Sequence, residues 1–155
     1  MEIKIVPYSE VYKSYFKSLN LEWLNKYFHP TDADIEILDH PERILAKGGQ
    51  VFFALHDEEV AGTCACIPHG KNSYELIKMG VSARFQGKGI GLKLIQAVVK
   101  EAKEHGKTEV MLETASSLKA AVSLYTKSGF TQVGPEEIHK DFGRKTFKMV
   151  MSLEN

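Results

Sequence analysis

Three glycines in five positions stand inside "RFQGKGIGLK", residues 84–93, between a strand-like run and an amphipathic helix. Glycines this close mark backbone that must go where a Cβ does not fit. Upstream, "SYELIKMGV" alternates: Tyr74, Leu76, Lys78 and Gly80 fall on one side of a strand, Glu75, Ile77, Met79 and Val81 on the other. Downstream, Ile90, Leu94, Val98 and Ala102 line up on a helix from about Gly89 to His105, which Gly106 ends. Such a strand–turn–helix unit aims N–H groups and a positive helix dipole at one point, which suits a diphosphate. A tight turn that holds nothing would satisfy the same glycines.

Both common nucleotide fingerprints fail. The Walker loop needs G-x-x-x-x-G-K-[ST], but Leu92 follows Gly91 and Lys93 comes one place late. The dinucleotide pattern G-x-G-x-x-G fits Gly87 and Gly89 and then meets Leu92.

Around this centre the chain reads as a mixed α/β fold. "IKIVPY" is a first strand, and Val11, Tyr15, Leu19, Trp23 and Tyr27 form a helical stripe, with Asn20 and Asn25 as candidate breakers. Thr31 or Asp32 can cap a second helix, and Asp39 before Pro41 starts a third that ends at Gly48 and Gly49. "QVFFALHDEEVAGTCACI" gives two strands turning at Asp57 and Glu58. After the 90–105 helix come a strand "TEVMLET", a helix "SLKAAVSLYTKSGF", and strands "TQVGPEEI" and "TFKMVMSLEN" around a loop at 139–145. No repeat or linker interrupts the chain, so a single domain over residues 1–155 is expected.

Bulk properties narrow the function classes. Lys plus Arg and Asp plus Glu each number 20, so the basic excess of a nucleic-acid binder is absent. No apolar run reaches the roughly 20 residues of a membrane span, and the N-terminal residues do not read as a signal peptide. With two cysteines, a cytoplasmic protein without a disulfide framework is expected. Cys64, Cys66 and His69 fall short of the four ligands of a structural zinc site, so the thiols read as small core residues and no metal is expected.

The run "ELIKMGVSARFQGKGIGLKLI" resembles the GCN5-related N-acetyltransferase (GNAT) superfamily, whose pyrophosphate loop reads Q/R-x-x-G-x-G/A. Gln86, Gly87, Lys88, Gly89, Ile90 and Gly91 supply it here. A second block, "LETASSLKAAVSLYTKSGF", is similar to the family's A-x-x-L-Y-x-K-x-G-F pattern, in the right order and at a usual separation. The resemblance implies a GNAT-type fold: a mostly antiparallel sheet of six to seven strands, splayed at the cofactor site and flanked by about four helices. It implies acetyl-CoA as cosubstrate, held by the pyrophosphate loop and by main-chain groups of a bulged strand at Met79, Gly80 and Val81. Many members carry an asparagine where this chain has Leu118, so Thr114, Ser116 or Ser117 is the substitute contact to the cofactor arm.

Acetyl transfer to an amine needs a base for the ammonium, a donor for the developing oxyanion and a proton for the leaving thiolate. By resemblance these are Glu75, the Met79 N–H and Tyr125; a relayed water or Glu113 rivals Glu75 as base. Arg84 and Lys88 can meet the cofactor phosphates. Trp23, Tyr27 and Phe28 fall in the region that borders the acceptor in this superfamily, where Asp32, Asp34 and Glu36 would favour a cationic acceptor. The expected function is transfer of an acetyl group from acetyl-CoA to a small-molecule or peptide amine in a ternary complex. An acyl-CoA-binding module without catalysis, or a different acyl group or acceptor atom, is the alternative. No nucleic-acid or membrane partner is expected, and a homodimer is compatible with the sequence.

Overall fold

A computed structural model of the chain describes residues 2–153. Its seven strands are β1 (Ile3–Pro7), β2 (Gln50–His56), β3 (Glu59–His69), β4 (Ser73–Val81), β5 (Glu109–Thr114), β6 (Thr131–Ile138) and β7 (Lys145–Ser152). They form one sheet in the order β1-β2-β3-β4-β5-β7-β6. Every pair is antiparallel except β4 with β5. The helices are α1 (Lys13–Tyr27), α2 (Asp32–Asp39), α3 (Pro41–Ala46), α4 (Ile90–Glu104) and α5 (Lys119–Ser128), one more than the four expected. The figure of about four comes from the resemblance; the two helix starts read in the 29–49 segment are both present, split where Pro41 takes the first position of α3.

The sheet is covered on both faces. Ile90, Leu94, Val98 and Ala102 of α4 join Leu76, Leu112, Tyr125 and Phe130 in one core. Phe16, Leu19 and Leu24 of α1 join Leu38, Ile44, Val51 and Phe53 in the other. Asn20 does not break α1: it is buried, donates to the Phe16 carbonyl at 2.8 Å and accepts from Trp23 Nε1 at 2.9 Å. Its polar groups are satisfied inside the helix, so burial carries little penalty.

Two irregularities in β4 shape the centre. First, β4 pairs with β5 only from Ser73 to Leu76, against Glu109 to Leu112. Beyond that point β4 stays with β3 while β5 stays with β7 as far as Thr114, so the sheet opens between them. Second, the β3 pairing steps from Thr63 opposite Gly80 to Ala65 opposite Ile77, leaving one extra residue in β4. Lys78 absorbs it with φ 49°, a left-handed conformation unusual for a non-glycine residue.

The bulge breaks the alternation expected through residues 74–81. Glu75 and Ile77 face the α1 side, but the extra residue shifts the phase and Met79 packs in the α4 core. Glu75 and Met79 therefore do not share a face. Gly80, in turn, lies directly under α1, where a Cβ would sit 2.9 Å from the Leu19 carbonyl oxygen and 3.1 Å from Trp23 Cδ1. At Gly91 a Cβ would meet only the end of the Leu124 side chain, at 2.6 Å. Gly80→Ala is expected to lower unfolding free energy by about 1–3 kcal/mol, because a backbone atom is the obstacle. Gly91→Ala should cost less, since a Leu124 methyl can rotate away; urea denaturation of the two variants compares them directly.

Candidate active site

The opening between β4 and β5 is the mouth of a cleft of about 540 Å³. Its walls come from β4, the glycine loop, the starts of α4 and α5, the β5 end, α1 and the β6–β7 loop. Because the strands part, the cleft joins the two faces of the sheet. Tyr125 reaches it from the α4–α5 side and Glu75 from the α1–α2 side.

The three glycines of the loop have separate duties. Gly87 and Gly89 adopt φ values of 78° and 80°, and nothing lies within 4 Å of a Cβ built on either. Both are therefore needed for chain direction and leave open space over the loop. Gly91 sits inside α4, where its missing side chain lets α5 approach. Gly89 caps α4 without a side-chain hydrogen bond, so the first-turn N–H groups point into the cleft mouth. Open space, free N–H donors and the positive end of a fifteen-residue helix fit a diphosphate. Val81 and Met79 offer main-chain groups on the edge that β5 leaves unpaired. These features suit the pyrophosphate and the extended arm of acetyl-CoA.

Glu75 is largely buried, at 21% side-chain exposure. Burial pushes its carboxyl above the ordinary carboxylate value and the nearby Glu113 adds to this, while His69, His139 and Lys148 pull the other way. His69 Nδ1 lies 3.9 Å from Glu75 Oε1. Glu113, one residue beyond the last β4–β5 pair, is held by His139 Nε2 at 3.0 Å and by Thr146 Oγ1 at 3.3 Å. On the opposite face Tyr125 is buried beside Phe130, and burial, followed by the Cys64 sulfur, raises its phenol well above the ordinary value. Raised from an ordinary value of 10.0, it stays protonated at neutral pH and can donate a hydrogen bond.

A charged cluster that the sequence reading did not assemble closes the α2 side of the cleft. Asp34 is fully buried in the first turn of α2, where it completes a capping box with Thr31. The bulge aims Lys78 Nζ at Asp34 Oδ1, 2.6 Å away, and Arg144 Nη2 binds Asp34 Oδ2 from the β6–β7 loop. Lys78 also lies over the Phe142 ring at 4.6 Å, and Arg144 over Phe28 and Phe142 at 5.0 and 5.2 Å. Burial alone would raise the Asp34 carboxyl, but the Lys78 hydrogen bond, the Thr31 N–H and the Lys78 and Arg144 charges outweigh it and hold it low. Burial likewise pulls the Lys78 ammonium down against the Asp34 contact. The short geometry to an ionised Asp34 keeps the cluster charged at neutral pH.

A profile of the acetyltransferase (GNAT) family matches residues 10–130, more than three-quarters of the chain. The chain belongs to the GNAT family. It is 30% identical to N-acetyltransferase 8B of Rattus norvegicus over 117 residues, 72% of this chain and 51% of the relative. It is also 33% identical to the N-acetylaspartate synthetase of Rattus norvegicus over 125 residues, 79% of this chain and 40% of the relative. The GNAT chain thus spans about half, or less, of the length of the curated relatives it matches. Among solved structures, a GNAT acetyltransferase from Staphylococcus aureus Mu50 superposes with a TM-score of 0.85 at 24% identity, covering 99% of this chain and 100% of that one. A Salmonella typhimurium chain solved with its cofactor acetyl-CoA gives 0.79 at 19%, covering 99% and 95%. These likenesses establish the fold.

In this GNAT chain the cleft gathers Glu75, Met79, Gly80, Val81, Gln86, Gly87, Gly89, Ile90, Gly91 and Tyr125. Others stay outside it. Lys88 is exposed on the loop and Ser117 on the turn before α5, and neither lines the cleft. Ser116 is occupied by Glu136, which takes its N–H at 3.0 Å and its hydroxyl at 3.1 Å. Thr114 alone of the three candidates for the missing asparagine reaches the wall, beside Leu118. Arg84 is paired with Glu59 and stacked on Phe85. Cys64 and Cys66 are buried in the α4 core; burial pushes the Cys66 thiol up to about 12 and raises the Cys64 thiol well above its ordinary value. His69 is more than half exposed beside Glu75, and among the described residues no three His, Cys, Asp or Glu side chains converge as metal ligands. Among the described residues no helix is long and apolar enough to cross a membrane.

The expectation that α2 adds negative charge to the acceptor side is reversed. Asp34 is outnumbered by two cations, and Glu36 turns away to Arg43. Asp34→Ala is expected to destabilise the fold by about 3 kcal/mol at pH 7, as for other buried ion pairs deprived of one partner. The native Asp34 carboxyl lies below its ordinary value of 3.8, so its contribution is complete above that value and disappears as pH falls through the native one. Stability curves of the two proteins measured from pH 7 downward should therefore stay apart to about pH 4 and meet only once the pH has fallen below the native carboxyl's value.

Proposed function

We propose that this protein is an acetyl-CoA-dependent N-acetyltransferase, acting on a primary amine by direct transfer in a ternary complex. The observation that carries the reading is the through-sheet cleft, which puts a raised carboxylate on one face and a protonated phenol on the other. The relatives' names, N-acetyltransferase and N-acetylaspartate synthetase, support acetylation at nitrogen. The cosubstrate supplies the activated acetyl group.

On the α4–α5 face, the N–H groups of Gly87 through Gly91 hold its pyrophosphate. Main-chain groups of Met79, Gly80 and Val81 hold the arm along the open β4 edge. Glu75, on the α1–α2 face, removes a proton from the acceptor ammonium. Its raised pKa improves its basicity, and Glu113 with His139 stands beside it to pass the proton on. Met79 has no register partner in β3 at the bulge, and its N–H is the donor to the oxygen on which charge develops. Tyr125 then donates to the departing sulfur. Each residue acts from a fixed element, and alignment of the two substrates through the opening supplies much of the acceleration.

Glu75→Gln should lower kcat by about 10²- to 10³-fold at neutral pH, the range of general base catalysis. The loss should shrink toward high pH, where free amine is abundant. Steady-state thiol release across pH 6–10 (roughly the span between carboxylate and ammonium titration) checks this, and a rate unchanged at pH 7 would remove Glu75 from the mechanism. Tyr125→Phe should lower kcat by about tenfold or more while the KM for acetyl-CoA holds, because the phenol acts on the leaving group. Equal loss in KM would assign it to binding instead.

A further inference from the structure

The cleft wall carries two charged groups. One is the pair of carboxylates Glu75 and Glu113, with His69 and His139 beside them. The other is Lys78 and Arg144, which share the single carboxylate of Asp34. We infer that the acceptor is an amino-acid-like amine whose carboxylate is bound by Arg144, with Lys78 reinforcing it, while its ammonium faces Glu75. The inference rests on the transferase reading and names the substrate class of that site.

Three observations support it. Two largely buried cations contact the one carboxylate of Asp34, so the contact cluster itself carries a net positive charge, which Glu75 meets only from farther off. Arg144 uses Nη2 on Asp34, and among the described residues no acceptor stands at its Nε or Nη1. Its side chain is 14% exposed and lines the cleft, so those donors are turned toward the open space rather than sealed in the core. Finally, the group is held rigidly. Phe28 and Phe142 both pack against the guanidinium, and the β6–β7 loop is closed by His139 N–H to the Arg144 carbonyl at 2.8 Å and by Gly143 N–H to the His139 carbonyl at 2.8 Å. A planar fork fixed in this way is suited to a carboxylate, and less suited to a neutral amide or an alkyl group.

The nearby Asp34 does not cancel the site. It is fully buried behind the two cations and positions them, so an incoming carboxylate meets donors first. An acceptor of the opposite kind, a polyamine or a lysine-rich peptide, would put a second cation beside Lys78 and Arg144. Like charges brought that close in a half-buried site are unfavourable.

The test compares three acceptors of common skeleton by thiol release: an α-amino acid, its carboxamide, and the amine lacking the carboxyl carbon. Rates are compared at equal concentration of free amine, for several side chains. Wild-type protein should favour the carboxylate in kcat/KM by about 10- to 100-fold, the range for a hydrogen bond to a charged group. R144Q should bring the carboxylate-to-carboxamide ratio to about one while the KM for acetyl-CoA holds, and R144K should keep part of the preference. Thermal melts verify that both variants fold. A wild type that treats the three acceptors alike, or prefers the decarboxylated amine, overturns the inference and leaves the transferase reading intact. So does an R144Q that slows all three equally. If no amine turns over although acetyl-CoA binds, the transferase reading falls, and calorimetric titration of the same compounds into coenzyme-A-saturated protein decides the anion site. Carboxylate-selective binding lost in R144Q upholds it; equal or absent binding ends it.

Discussion

One extra residue in β4 governs the centre of this molecule. Without it, Lys78 would continue the regular alternation and face the α4 core, where an ammonium has no partner. With it, Lys78 takes a left-handed conformation and reaches Asp34, and Met79 is turned to the opposite face with its main chain released from β3. A lysine at φ 49° is strained, and a hydrogen-bonded ion pair with a buried carboxylate is an interaction large enough to hold it there. The bulge, the ion pair and the free edge are thus one device.

The parting of β4 and β5 complements it. A sheet normally separates its two faces, so groups on opposite faces cannot meet a common ligand. Here the strands diverge after four paired residues, and side chains from both cores line the same space. Glu75 and Tyr125 belong to different cores and still face one cleft. In the proposed reaction this lets each substrate approach from its own side, with the scissile bond at the gap.

The sequence made the cofactor half of the cleft legible and left the other half obscure, for a physical reason. The loop, α4 and α5 are local: strand, glycines and amphipathic helix adjoin in the chain, and Gly87 and Gly89 do have the positive φ that their spacing suggests. The bulge was expected from resemblance, yet its effect on facing was not. Strict alternation placed Glu75 with Met79, and nothing in "ELIKMGV" marks which residue is the extra one. Asp34 reads as negative charge for a cationic acceptor, because the sequence displays its carboxylate and not its partners. Its neutralisation depends on Arg144, 110 positions away. Phe142 and Arg144 sat in an unremarkable loop, and only their meeting with Phe28 and Lys78 gives them a role. Asn20 likewise looked like a helix breaker because the sequence does not display its two internal hydrogen bonds.

The same separation along the chain has a consequence for how such a fold diversifies. The groups that face the cofactor lie within about fifty residues on adjoining elements, where a change at one position disturbs its neighbours. The opposite wall is contributed by α1, α2 and a short surface loop joining two antiparallel strands. Residues 139–144 can change in length or charge without touching the glycine loop. In the proposed reaction the acceptor wall can therefore be remodelled in one hairpin, at the expense of its contacts to Asp34 and Glu113, while the glycine loop stays as it is.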